Sequence, residues 1–213
     1  MFDSKNYKTE ARSLLKNRWK VPCLVTLVSL VVSAAVGSAG AVNSVIELVA
    51  SGISGIVLVA QLQMYFKFIE GKAISFSDFI AGFESWLNAI LGTFWFVLWT
   101  SLWSLLFLIP GIVKGISYSM MFWVIAENPE IGAIKAMNIS KIMTKGHKSD
   151  LFCLGLSFIG WIFLSLLSFG IGFIWLTPYM YLSYTKAYID LKRMAFETGV
   201  LKPADFYVAH DGE

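Results

Sequence analysis

The sequence predicts an all-α polytopic membrane protein: a bundle of about six transmembrane helices with two cytoplasmic, interfacial amphipathic helices. Three observations predict it. First, 57% of the 213 residues are hydrophobic and only 15% are charged, where a soluble domain runs about 45–50% and about 25%. Mean hydropathy is +0.68. No core of a chain this size could hide that apolar surplus from water, so a bilayer must act as its solvent. Second, the apolar residues fall in runs near the length of about 20 that a crossing helix needs. Third, Lys and Arg are gathered into the segments between alternate runs.

The chain reads as one integral-membrane domain, 1–213: a basic cytoplasmic helix (1–20), a transmembrane bundle (22–188) and a cytoplasmic tail (189–213). In the first helix Tyr7, Ala11, Leu14 and Leu15 share a face, with Trp19 at its edge. Lys5, Lys8, Arg12 and Lys16 lie largely opposite. The candidate spans are 22–40, 45–66, 87–109, 112–127, 151–168 and 171–188. The first, third and fifth end in short, nearly uncharged links, "GSAGAVNS", "IPGI" and "SFGIG", two of them with the Pro and Gly of tight helical reversals. Pro110 cannot cheaply continue a helix and Gly111 tolerates a reversal, so the pair is expected to turn the chain at the outer face. Residues 129–146 form the second amphipathic helix, opened by Asn128 as cap and Pro129 in the first turn. There Lys135, Asn138, Lys141 and Lys145 make one stripe, and Ala133, Ala136, Met137, Ile139 and Met143 cover the other side.

Orientation follows from charge, because short cytoplasmic loops hold Lys and Arg. With six spans, all but one of the 17 Lys and Arg residues fall on one side, and both termini are cytoplasmic. The exception is Lys114. "VPCLVTLVSLVVSAAVGSAGA" also has the form of a cleavable signal segment, but the basic region before it is long and itself patterned. Cleavage would leave the other five spans in the same orientation. "LLKNRWKVPCLVTLVSL" aligns without gaps to "MTKGHKSDLFCLGLSFI". Both basic segments would then be cytoplasmic, which an inverted repeat forbids, so common boundary chemistry explains the likeness.

Glu47 and Lys114 are the embedded charges that the cytoplasmic boundary does not explain. Both are expected near the outer ends of their spans, as an ion pair or polar pocket, against the plainer account that each snorkels to the headgroups. Lys135, Lys141, Lys145, Lys148, Arg12 and Lys16 are candidate contacts for anionic lipid, each gaining about 1 kcal/mol near such a surface; the plainer account is that they only fix topology. Trp95, Trp99 and Trp103 share one helical face, which packing explains. Ser51 and Gly55 have the small-xxx-small spacing of close helix approach. Cys23 and Cys153 give no disulfide framework or zinc spacing. His147 and His210 give no metal pair. No phosphate loop or nucleophile elbow is present, so no catalytic residue, cofactor or nucleic-acid partner is expected.

"LIPGIVKGISYSMMFWVIAENPEIGAIKAMNISKIMTKGHKSDLFCLGLSFIGW" (108–161) and "GIGFIWLTPYMYLSYTKAYIDL" (170–191) resemble the bacterial integral-membrane domain-of-unknown-function family 975. "EARSLLKNRWK" and "FSDFIAGF" fit more loosely, and Asn17 stands where the family's amino-terminal motif leads one to expect glycine. The resemblance implies a multi-pass protein of the bacterial cytoplasmic membrane with no assigned activity. It also implies a distant likeness to the membrane portion of some glycerophosphodiester phosphodiesterases, hence a lipid-related or accessory role. The function expected is a non-enzymatic module that assists a partner or lipid process, in contact with anionic headgroups and compatible with self-association. The alternative is a small transporter or exporter component with a polar route near Glu47 and Lys114. A lipid-modifying enzyme ranks last.

Overall fold

The computed structural model describes residues 2–40, 44–106 and 108–206, with side chains at 36–40, 44–48, 105–106 and 108–110 outside the description. Among the described residues the regular structure is helical throughout.

Helix α1 (Ser4–Leu15) starts where the Asp3 side chain accepts the amide protons of Lys5 and Asn6 at 3.0 and 3.2 Å, which satisfies two of the amides a helix start leaves free. Its apolar face, Tyr7, Ala11 and Leu15, is buried. It ends as Asn17 enters the left-handed region at φ 65, a conformation glycine adopts freely and asparagine tolerates best among the rest. The glycine expected at this position therefore has a geometric reason. From this corner α2 (Lys20–Gly40) leaves at 104° to α1.

Helix α3 (Ser44–Ile69) pairs with α2, joined by the Gln61 amide donating to Ser29 Oγ at 2.8 Å. Lys67 near its end bonds Asp78 at 2.7 Å, which folds the short α4 (Phe76–Ala81) back on α3. Helix α4 opens with a capping box between Ser75 and Asp78. A 3-10 turn (Gly82–Ser85) leads into α5 (Trp86–Leu106). Helices α3 and α5 run antiparallel, with Gly82 against Ala60 and Gly52 against Ile90. The small residues of α3 do permit close approach, and Gly55 lies against Thr93 and Ala89.

Helices α6 (Leu108–Ser119) and α7 (Met121–Glu127) return along α5. Pro110 and Gly111 do not form the reversal. They lie in the first turn of α6, where a proline's missing amide has no partner to lose. Gly111 lets α6 approach α5, since a Cβ there would sit 2.9 Å from the Ser104 Cα.

The expected helix start at Asn128-Pro129 is also displaced. Asn128 ends α7 at φ −130, ψ 86, because a residue before proline is pushed out of the helical region. Its successor's carbonyl accepts from the Asn88 amide. Helix α8 (Ala133–Met143) begins after Gly132 and buries Ala133, Ala136, Met137, Ile139, Ser140 and Met143. The Ser140 hydroxyl donates to the Ser117 carbonyl of α6 at 2.8 Å. Its apolar side is thus taken up by protein.

Helices α9 (Lys148–Leu156) and α10 (Ile159–Leu167) form one nearly continuous apolar rod. It reverses through Phe169 and Gly170, both at positive φ, into α11 (Phe173–Glu197). The later chain folds back so that Phe206 meets Phe196 edge-on at 5.5 Å. Two apolar clusters result. One joins α6, α7, α8, α9, Tyr7 of α1 and α11 from Leu176 to Ala195, and the other joins α2, α3, Ala11 and Leu15 of α1, and Leu182 of α11.

Among the described residues three helices are long and apolar enough to cross a membrane, at Val49–Ile69, Phe76–Ser104 and Lys148–Leu167, or four if the bent α1–α2 pair is one span. The remaining expected spans differ for local reasons. The α6–α7 pair breaks at Met120. Helix α11 carries Thr177, Ser183, Thr185 and four tyrosines between residues 179 and 188, many of which face other helices.

A Cβ on Gly82 would lie 2.6 Å from the Ala60 Cα and 2.8 Å from its Cβ. Gly82→Ala is therefore expected to cost about 1–3 kcal/mol and lower the unfolding midpoint in detergent. Ala60→Gly in the same chain should restore part of that loss, a non-additivity measurable as a double-mutant cycle.

Candidate functional site

The first basic stretch packs against α9, the helix that follows the second one. Phe2, just before α1, stacks on His147, just before α9, with ring centres 6.1 Å apart. One helix turn and a half further on, the Lys8 ammonium donates to the carbonyl and hydroxyl of Ser157, both at 3.2 Å. It lies 4.6 Å from the centre of the Phe158 ring. Burial, with the like charge of Arg12 added, lowers the Lys8 ammonium below its usual range. Arg12, one turn beyond Lys8, stands 5.8 Å from the Tyr179 ring. Helix α1 is tied to α11 by Glu10 and Lys186 at 3.0 Å.

Lys114 is not remote from the other cations. Its ammonium lies 4.4 Å from the centre of the Trp103 ring, within electrostatic reach of Lys141 and Lys148. The Ser140–Ser117 hydrogen bond accounts for this, since it brings the end of α8 to the flank of α6. The side chain of Glu47, the proposed partner of Lys114, lies outside the described residues, as does His210. Lys135, Lys141 and Lys145 are exposed and Lys148 is half-buried; Arg12 and Lys16 are exposed.

The pairing of charges is uneven. Lys67, Lys72, Lys186, Lys192 and Arg193 each meet a carboxylate. Among the described residues Lys8, Arg12, Lys16, Lys114, Lys141, Lys145 and Lys148 show no ion pair. His147 Nδ1 is 3.0 Å from the Asp150 carboxylate, which occupies the one acid at the start of α9.

Trp95 and Trp99 pack edge to face at 6.1 Å and join the larger cluster. The indole N–H groups of Trp95, Trp99 and Trp103 are buried with no acceptor among the described residues. Cys23 and Cys153 are free thiols. Among the described residues no three His, Cys, Asp or Glu side chains converge to hold a metal.

The sequence reading missed a groove between α10, the first turns of α11 and the α1–α2 corner. Its volume is about 590 Å³, with Trp161, Leu164, Trp175 and Leu176 along its walls and Arg12 and Trp19 at one end. The signal for it was present, since Trp161 and Trp175 are two large side chains on facing arms of one hairpin. Nothing in the sequence set Arg12 beside them.

The Lys114–Trp103 contact yields a measurable coupling. In a double-mutant cycle of Lys114→Met and Trp103→Leu, an interaction of about 1 kcal/mol is expected, the size of a partly exposed cation–π contact. Additive losses in unfolding free energy would show that the two side chains do not interact.

No curated protein and no solved structure matches the chain. Residues 108–195, from the start of α6 through nearly all of α11, match the family described as "Protein of unknown function (DUF975)".

Proposed function

We propose that the chain is a non-enzymatic module of the bacterial cytoplasmic membrane that holds anionic lipid against a cationic face, in support of a partner protein or a lipid-handling process. The observation that carries this reading is the set of basic side chains on α1, α6, α8 and α9 that form no ion pair among the described residues. Like charges held close together cost free energy unless an external anion offsets them. Phosphate-bearing lipid is the abundant anion at a membrane surface.

In this reading the chain crosses six times, with both termini on the cytoplasmic side. Three helices among the described residues that are long and apolar enough to cross, or four with the bent α1–α2 pair, support the crossing itself. The tip of the α10–α11 hairpin supports it as well, because Leu167 and Phe169 are 78% and 99% exposed and suit only an apolar or interfacial surrounding. A transport route through Glu47 and Lys114 gains nothing from an arrangement in which Lys114 neighbours two cations and a tryptophan.

The test has two arms. In a background with both cysteines replaced by serine, Ser168→Cys should react with an impermeant thiol reagent from outside the cell and Lys145→Cys only from inside. The reverse pattern would refute the topology. In the second arm, Lys141→Gln, Lys145→Gln and Lys148→Gln together should lower the retained ratio of phosphatidylglycerol to phosphatidylcholine about tenfold or more in native mass spectrometry. An unchanged ratio would refute the lipid-holding role of this face.

A further inference from the structure

We infer that the groove between α10, α11 and α1 is a binding site for one anionic glycerophospholipid, with an acyl chain along Trp161, Leu164 and Trp175 and the phosphate between Lys8 and Arg12. The inference rests on the reading above that the chain is embedded in a bilayer, and it adds a defined site away from the lysines of α8 and α9.

The groove has two chemically different parts that share Arg12, Trp161 and Tyr179. The mouth, about 290 Å³, adds Lys8 and Thr9. The body, about 590 Å³, adds the apolar walls. Both fall near or within the range of about 300–1,000 Å³ typical of small-molecule sites. From Tyr179 to Gly172 the body follows about 10 Å of helix axis, so it suits an extended chain.

The serine hydroxyls and the Gly172 amide inside the body are already occupied by neighbouring backbone or by one another. The Ser165 hydroxyl donates to the Trp161 carbonyl and the Ser168 hydroxyl to the Ser165 carbonyl, both at 2.8 Å. The Gly172 amide donates to Ser168 Oγ at 2.9 Å. Little polar capacity is therefore left for a polar ligand, whereas hydrocarbon is accommodated without loss.

At the mouth the cations lack carboxylates: the Lys8 ammonium donates to the Ser157 carbonyl and hydroxyl, both at 3.2 Å, and among the described residues neither it nor Arg12 forms an ion pair. Lys8 and Arg12 stand one helical turn apart, a like-charge spacing that destabilises a helix. Glu10, the acid between them in sequence, is turned to Lys186 at 3.0 Å. Lys8 rests on Phe158 and Arg12 beside Tyr179, so both charges stand at the upper rim of an aromatic wall. A guanidinium offers paired donors that match phosphate oxygens. An ammonium adds a second, point-like charge. A zwitterionic headgroup would bring its own cation to this rim, which selects for a net-negative lipid.

The test uses the full chain, gently solubilised and loaded with equal amounts of phosphatidylglycerol and phosphatidylcholine of matched chains. Native mass spectrometry should show one phosphatidylglycerol retained preferentially. Lys8→Gln with Arg12→Gln should reduce that preference up to about 30-fold, the effect of two cations at a lipid surface. Lys8→Arg should retain it. Leu164→Trp, which fills the body and leaves the mouth charged, should displace the retained lipid. As a second readout, phosphatidylglycerol brominated on its chain should quench tryptophan fluorescence, and much less so after Trp161→Phe with Trp175→Phe.

An unchanged lipid preference in the Lys8/Arg12 variant would overturn the site, as would quenching that survives loss of both tryptophans. Full displacement by free glycerol phosphate would overturn it too, by showing a soluble-anion site. If these fail while the triple lysine variant still loses phosphatidylglycerol, the groove falls and the cationic face stands; the converse result separates them the other way.

Discussion

Helix α11 is the constraint on which the rest of the bundle depends. Leu182 belongs to the cluster built by α1, α2 and α3, and Leu176, Ala187, Tyr188 and Leu191 belong to the one built by α6, α7 and α8. Its polar side chains serve as fasteners. Thr185 accepts from the Trp123 indole at 3.0 Å. Tyr188 donates to Glu127 at 2.7 Å, and Lys192 bonds the other oxygen of the same carboxylate at 2.7 Å. Such groups are costly against lipid and favourable when each finds a partner in protein. This explains why the least oily of the long helices sits between the others.

The arrangement of charge follows from that packing. Helix α1 is drawn to α11 by the buried Tyr7, Ala11 and Leu15, and α8 is drawn to α6 by Ser140. Basic side chains of both helices are thereby fixed on the bundle, and among the described residues Lys8, Arg12, Lys141 and Lys145 form no ion pair. Surface ion pairs contribute little to stability, so leaving these cations unpaired costs the fold little. The pattern fits a protein whose counter-charges are supplied by its surroundings.

Much of the fold was legible in the sequence because long apolar helices leave so strong a pattern. The apolar runs, the amphipathic α1 and the small residues of α3 were all visible in residue spacing. The departures share one cause, which is that local rules describe a segment without its neighbours. Pro110 and Asn128-Pro129 were correctly seen as interruptions, but which side of each the helix lies on depended on Ser104 and Asn88 packing opposite. Lys114 was assigned a depth from its place in a run, whereas the docking of α8 sets its neighbours. The groove was illegible for the same reason: its walls are 14 residues apart in sequence, and the arginine at its rim is roughly 150 away.

The corner at Asn17 carries a last implication. Its left-handed backbone sets the direction in which the first hydrophobic helix departs, and asparagine explores fewer conformations than glycine before the chain folds. A glycine there would leave the elbow equally reachable but looser in the unfolded ensemble. This chain therefore folds with the angle between its first two helices already narrowed, a form of early steering at the point where a nascent chain has fewest contacts to guide it.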